Sequence, residues 1–160
     1  MNFQDAVKSG YTNYATFSGR STRSAFWWWW FGFNIASIAI SIVILGLYEA
    51  MTGGGGDVTV IFVLNWLWQL SSLLPATALS VRRLHDTNKS GWWLTLVLVP
   101  PVVWSLMNVW LESQGGRVNT HGSVEWFILL LVPLLAWFIL IVWFCGKGTT
   151  GANQYGPEAV

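Results

Sequence analysis

From Ala25 to Tyr48 the chain reads AFWWWWFGFNIASIAISIVILGLY, with no Asp, Glu, Lys, Arg or His anywhere in the run. At ~1.5 Å per helical residue, a stretch of this length covers the ~30 Å hydrocarbon core of a bilayer. Its apolar residues do not alternate, so it is not a barrel strand. Backbone groups in lipid must bond within their own segment, which leaves a helix. Three further stretches read the same way: Val58–Leu79, Gly91–Leu111 and Val124–Cys145, with Glu125 at the very edge of the last. The expected fold is an all-α membrane protein, a four-transmembrane-helix bundle with a short amphipathic N-terminal interfacial helix.

The composition agrees. Of 160 residues, 54% are hydrophobic and 9% charged, and 13 are tryptophan. An average soluble domain carries about 25% charged residues. A disordered chain, an ordinary soluble enzyme domain and a basic nucleic-acid binder are all excluded, the last also by a net charge of +1. The expected organisation is one membrane domain over 1–160. It has an interfacial arm at 1–24, spans at 25–48, 58–79, 91–111 and 124–145, a cytoplasmic loop at 80–90 and a cytoplasmic tail at 146–160. The arm lacks the early apolar region of a signal peptide, and Asn2 stands where myristoylation needs glycine, so the spans themselves are expected to anchor the chain. Cys145 is the single cysteine and reads as a small apolar residue near a helix end.

Charge placement sets an expected orientation. Lys8, Arg20, Arg23, Arg82, Arg83, Lys89 and Lys147 lie in the arm, the second connection and the tail, whereas Arg117 alone lies in the third connection. The excess of Lys and Arg on one side puts both termini and the second connection in the cytoplasm. Trp27 to Trp30, Trp92, Trp93 and Trp143 then fall at the cytoplasmic interface, and Trp110 and Trp126 at the outer one. In the arm, Phe3, Ala6, Val7, Gly10, Tyr11 and Tyr14 recur at helical spacing, with Gly10 weakening the helix by about 1 kcal/mol relative to alanine. Gly53 to Gly56 reads as a flexible link, and Glu112 to Ser123 as a polar turn-like connection.

Polar side chains form stripes on three spans: Asn34, Ser37 and Ser41; Asn65, Gln69 and Ser72; Ser105 and Asn108. They are expected to meet in the bundle interior, where interhelical hydrogen bonding is the plainer use and a polar pathway the sharper one. The spans carry no buried ionisable group of the kind that proton- or ion-coupled transporters use. Pro75, Pro100, Pro101 and Pro133 interrupt three spans. Each frees the carbonyl four residues earlier, which a neighbour is expected to satisfy.

The densest polar cluster runs from Arg82 through Arg83, His85 and Asp86 to Lys89. Arginines there suit a phosphate or carboxylate, and His85 with Asp86 offers a titratable pair. One histidine and one aspartate are too few for a closed metal site, and His121 is expected on the opposite side, so no metal and no cofactor are implied. The plainer reading is topology plus anionic lipid, at about 1 kcal/mol per basic residue.

Three strings together resemble the domain of unknown function 805 (YhaH-like) family of small bacterial inner-membrane proteins. They are Phe17-Ser18-Gly19-Arg20-Ser21-Thr22-Arg23-Ser24-Ala25-Phe26-Trp27-Trp28, then Arg82-Arg83-Leu84-His85-Asp86-Thr87-Asn88-Lys89-Ser90-Gly91-Trp92-Trp93, then Gly148-Thr149-Thr150-Gly151-Ala152-Asn153-Gln154-Tyr155-Gly156-Pro157. The resemblance covers essentially the whole chain and implies a multi-pass membrane protein, without an established activity or catalytic residues. Two positions depart from the family pattern. Ala25 stands where an acid usually precedes the Phe-Trp pair, and Asn88 where glycine is common; asparagine still tolerates a left-handed turn.

The three strings share one expected side. The glycine-rich tail, the Arg20–Arg23 turn and the Arg82–Asp86 stretch are therefore expected to form one cytoplasmic cap, with Asp86 paired to an arginine and hydrogen bonds from Asn153 and Tyr155. The expected function is non-enzymatic binding of a partner protein or an anionic lipid headgroup through Arg20, Arg23, Arg82, Arg83, His85, Asp86 and Lys89. Partners are thus the bilayer itself, an anionic lipid, a membrane protein or a second copy, and not nucleic acid. Two other readings are a small transporter or oligomeric channel using the polar faces, and an interfacial lipid-phosphate enzyme using His85.

Overall fold

A computed structural model describes residues 2–53, 55, 57–113 and 124–159, and the side chains of all of these except 108, 111, 112 and 124–130. Residues 114–123 of the expected third connection, with Arg117 and His121, and Gly54 and Gly56 of the four-glycine link lie outside the described residues. Among the described residues five α-helices follow in order: α1 (Phe3–Thr12), α2 (Arg23–Thr52), α3 (Thr59–Asp86), α4 (Thr95–Ser113) and α5 (Val124–Cys145), with a 3-10 turn at Gly91–Leu94 before α4. The described residues contain no β-strand, only an isolated bridge between Asn153 and Gly156.

Helices α2 and α3 are long and apolar enough to cross a membrane. Their 30 and 28 residues reach about 45 and 42 Å. Apolar side chains on both face outward, among them Ile35, Ile38, Ile42, Phe62 and Leu67, as expected where lipid is the solvent. Helix α2 is started by Thr22, whose hydroxyl accepts from the Ala25 N–H, and ends at Gly53 in a left-handed conformation. Asp57 precedes α3 and accepts from the Thr59 backbone N–H at 2.8 Å. Hydrogen bonds from the Thr59 side chain and backbone hold its carboxyl below the usual carboxylate range.

Two boundaries differ from the sequence expectation. Helix α3 does not stop near Leu79 but continues to Asp86, so most of the residues read as a loop at 80–90 form its last two turns. The stop there is a Schellman closure. Lys89 N–H donates to the Leu84 carbonyl at 2.8 Å and Asn88 N–H to that of His85 at 3.0 Å, with Asn88 at φ +58°. The third apolar stretch is also not one continuous α-helix: Ser90 accepts from Trp92 N–H, and the chain makes one 3-10 turn before α4.

Helix α1 packs on α2 and reaches α3. Phe3 meets Trp28 edge-to-face at 6.0 Å. Gly10 lies so close to the Trp29 indole that a Cβ would run into it. The glycine that weakens α1 in isolation is what lets it seat. Tyr14, just beyond α1, donates its hydroxyl to the Ser71 carbonyl at 2.5 Å.

The polar stripes of α2 and α3 do meet. Ser41 donates to Asn65 Oδ1 at 2.6 Å and Trp68 Nε1 to Ser37 Oγ at 2.8 Å. The third stripe does not join them: Ser105 bonds back to the Pro101 carbonyl of its own helix, and the Asn108 side chain is outside the described set. Helix α4 lies against α5 and the 3-10 turn; among the described residues its backbone comes close to neither α2 nor α3, although its Val97 packs on the shared core. The molecule is therefore two helical hairpins joined at one end. At that end sits the packed core of Phe26, Trp29, Leu79, Leu84, Leu140 and Phe144.

Candidate functional site

The largest fully buried side chain in the described molecule is not a hydrophobe but Arg83, followed by Leu84 and Pro75. Arg83 lies in the last turn of α3, three residues before Asp86, so the two share a face. Its Nη1 pairs with Asp86 Oδ2. The other Asp86 oxygen takes Arg20, with Nη2 at 2.9 Å and Nε at 3.0 Å. The Arg20, Arg83 and Asp86 side chains are 1%, 0% and 7% exposed. One carboxylate thus serves two buried cations, and the surplus positive charge falls on backbone oxygens.

Those oxygens belong to the end of α5 and to the tail. Arg83 Nε donates to the Phe144 carbonyl at 3.1 Å and Nη2 to that of Gly146 at 2.5 Å. Arg23 Nη1 donates to the Cys145 carbonyl at 3.2 Å. The last carbonyls of a helix have no partner of their own and carry its negative dipole end. Two arginines from other helices supply both hydrogen bonds and charge there. Arg20 does the same for the tail, reaching the carbonyls of Gly151 at 2.6 Å and Thr149 at 2.5 Å.

The tail closes the arrangement from its own side. Thr149 N–H donates to the Asp86 carbonyl at 2.8 Å. Gly148 lies against the Asp86 carboxylate where a Cβ would collide with it. Asn153 Nδ2 donates to the His85 carbonyl at 2.9 Å and to Thr149 Oγ1 at 2.8 Å. Tyr155 stacks on the His85 ring with centroids 3.8 Å apart and planes 3° from parallel. His85 Nδ1 lies 3.1 Å from the Gly19 carbonyl; a carbonyl only accepts, so Nδ1 carries the proton and Nε2 is the free acceptor. Ser21 N–H donates to the Arg82 carbonyl at 3.0 Å, which pins the arm to α3.

The remaining basic residues are placed differently. Arg82 is buried, its Nε 3.4 Å from the Ala78 carbonyl and its Nη2 without a hydrogen-bond partner among the described residues. Lys89 is exposed, with Nζ 5.2 Å from the centroid of the Trp143 ring, a cation–π distance. Between the start of α2 and the tail lies a polar hollow of about 260 Å³ lined by Arg20, Arg23, Arg83, Asp86, Lys147 and Glu158. No group of three or more His, Cys, Asp or Glu suited to a metal occurs among the described residues.

Sequence reading pointed to the side chains and missed their acceptors. Phe144, Cys145, Gly146, Thr149 and Gly151 all take part through backbone oxygens, which any residue type provides. Lys147 and Glu158, at the rim of the hollow, were also not singled out as site residues; their charge in an otherwise uncharged tail was the available signal.

Helices that expose apolar faces along their length and close at one end on a buried two-arginine, one-carboxylate knot define a small helical membrane protein. The chain belongs to the DUF805 family, described as a protein of unknown function, which matches residues 14–157 and so takes in every residue of the knot. It is similar to inner membrane protein YhaI of Escherichia coli (strain K12), at 34% identity over 105 residues, 64% of this chain and 79% of that protein. It is likewise similar to inner membrane protein YhaH of the same strain, at 35% identity over 100 residues, 61% of this chain and 75% of that protein. No solved structure matches the chain.

Proposed function

We propose that this protein is a four-span, non-enzymatic inner-membrane protein with both termini in the cytoplasm, and that its basic end holds the phosphate of an anionic lipid headgroup. The observation that carries the reading is the polar hollow between α2 and the tail. Four cationic side chains line it against two carboxylates. Arg20 and Arg83 are committed to Asp86 and to carbonyls, which leaves Arg23 and Lys147 as the cations with capacity to spare. The first turn of α2 has no acidic residue, so a phosphate would also complement that helix end. Basic residues near a cytoplasmic leaflet contribute about 1 kcal/mol each toward anionic lipid.

The placement of the basic residues supports the topology. Seven of the eight Lys and Arg lie in the arm, at the end of α3 and its connection, or in the tail. The span count rests on the shorter apolar runs Gly91–Met107, in the 3-10 turn and α4, and Leu131–Cys145, in α5, joining α2 and α3. The enzymatic reading is less supported, because the His85 ring is held between Tyr155 and the Gly19 carbonyl. The test is native mass spectrometry of the protein released from its membrane. Phosphatidylglycerol or cardiolipin should remain bound to the wild type and be lost at least tenfold more readily from Arg23→Ala/Lys147→Ala. Equal retention in both overturns the reading, and a retained protein subunit released by the same variant moves the site to a partner protein.

A further inference from the structure

Where the two hairpins part, they leave a cavity of about 360 Å³ walled by α2, α3, α4 and α5. Its size is in the range of small-molecule sites. The walls are mostly aromatic and aliphatic, with Trp29, Phe33 and Trp137 among them, and Asn34, Gln69 and Ser72 supply a polar strip. Asn34 and Gln69 lie about 16 and 21 Å along their helices from Arg23 and Arg83, well away from the basic end.

The hydrogen-bond inventory of that strip is unbalanced. Asn34 Nδ2 donates to the Trp30 carbonyl of its own helix at 2.8 Å, and Ser72 Oγ donates to the Gln69 backbone carbonyl at 2.9 Å. The Gln69 amide bonds no described residue, and the Asn34 oxygen accepts from none. Amides at this depth have no bulk water to turn to. The lining carries no Asp, Glu, Lys, Arg or His among the described residues, so nothing there would balance a charged ligand.

We propose that this cavity binds a neutral, membrane-dissolved ring bearing carbonyl oxygens, the chemistry of an isoprenoid quinone. The Gln69 amide donates to a ring carbonyl, the ring lies against the indole and phenyl walls, and an isoprenoid tail leaves through the gap that α4 keeps open. A hydroxyl-bearing isoprenoid without a ring shares the oxygen but not the flat face. A second copy of the chain is the other means of pairing the two amides. The site stands apart from the headgroup reading and does not depend on it.

The experiment uses the full chain in nanodiscs, titrated with ubiquinone-1, with farnesol as competitor and oligomeric state read in parallel. Saturable ubiquinone-1 binding that farnesol does not displace is expected. Asn34→Leu/Gln69→Leu should weaken it at least tenfold, and Ser72→Phe, which fills the cavity, should abolish it. Leucine is favourable at membrane-embedded helical positions, so the double variant is expected to fold, checked by unchanged protease resistance of the tail. Non-saturable partitioning, equal competition by farnesol, or unchanged affinity in the double variant overturns the proposal. A dimer that the double variant dissolves, with no quinone affinity in either, assigns the amides to self-association and overturns it as well.

Discussion

The Tyr14 hydroxyl lies 2.5 Å from the Ser71 carbonyl, the one α3 carbonyl that Pro75 deprives of its helical N–H donor. Tyr14, two residues beyond α1, thus repairs a backbone defect in α3 and ties the arm to the bundle. Tyr14→Phe should cost about 1–2 kcal/mol, the desolvation cost of an unsatisfied carbonyl. With Pro75→Ala the helix supplies its own donor, and Tyr14→Phe should then cost close to nothing. A double-mutant cycle on thermal unfolding in detergent measures the difference, and additive losses would remove the link between the two residues.

Asp86 supplies the carboxylate between two buried guanidinium groups. Removing one partner of a buried ionic cluster leaves uncompensated charge, at about 3–5 kcal/mol. Asp86→Ala should therefore release the tail, which limited trypsin digestion reads as faster cleavage after Lys147. Cleavage at the wild-type rate would mean that the tail is held by its backbone bonds alone.

Gly148 has no room for a side chain because the Asp86 carboxylate occupies the space. Gly148→Ala should lower stability by about 1–3 kcal/mol, the usual range for overpacking. Gly46→Ala, where a Cβ meets nothing within 4 Å, serves as the comparison and should not destabilise. Equal melting temperatures for the two variants would contradict the close approach.

Asn88 closes α3 at φ +58°. Asn88→Gly should be neutral or stabilising, since glycine adopts that conformation without strain. A β-branched side chain should not fit, and Asn88→Val is expected to lose about 1–3 kcal/mol. Chemical denaturation of the two variants tests the sign as well as the size.

The proposed topology predicts the accessibility of two positions. In a Cys145→Ser background, Gly55→Cys should react with a membrane-impermeant maleimide in intact cells. Lys147→Cys should react only after permeabilisation. Labelling of Lys147→Cys in intact cells would reverse the orientation.

Much of the fold was legible in the residue types. A charge-free run such as Ala25–Tyr48 has few soluble fates, and its length matches a bilayer. The amphipathic spacing of Phe3, Val7 and Tyr11 and the left-handed tolerance of Asn88 are local properties of the chain, readable without knowing what lies nearby. The end of α3 was not legible. Arg82 to Asp86 is polar and charged, as a loop would be, and its helix is held by contacts that lie far away in sequence: Ser21 on the Arg82 backbone, Phe144 and Gly146 on Arg83, Thr149 on Asp86.

By itself, the sequence determined that this is a helical membrane protein with its positive charge gathered in three separated segments, because burying apolar surface and satisfying backbone groups in lipid leave no other choice. Only the tertiary structure decided which way those charges point. Exposed arginines and arginines buried on the carbonyls of another helix have the same one-dimensional pattern, since a backbone acceptor leaves no mark on residue type. It also decided that Arg20 and Arg83, and not Arg23, share Asp86, and that α4 stands away from α2 and α3. Those outcomes depend on distances between segments up to 131 positions apart, which packing sets and local composition does not.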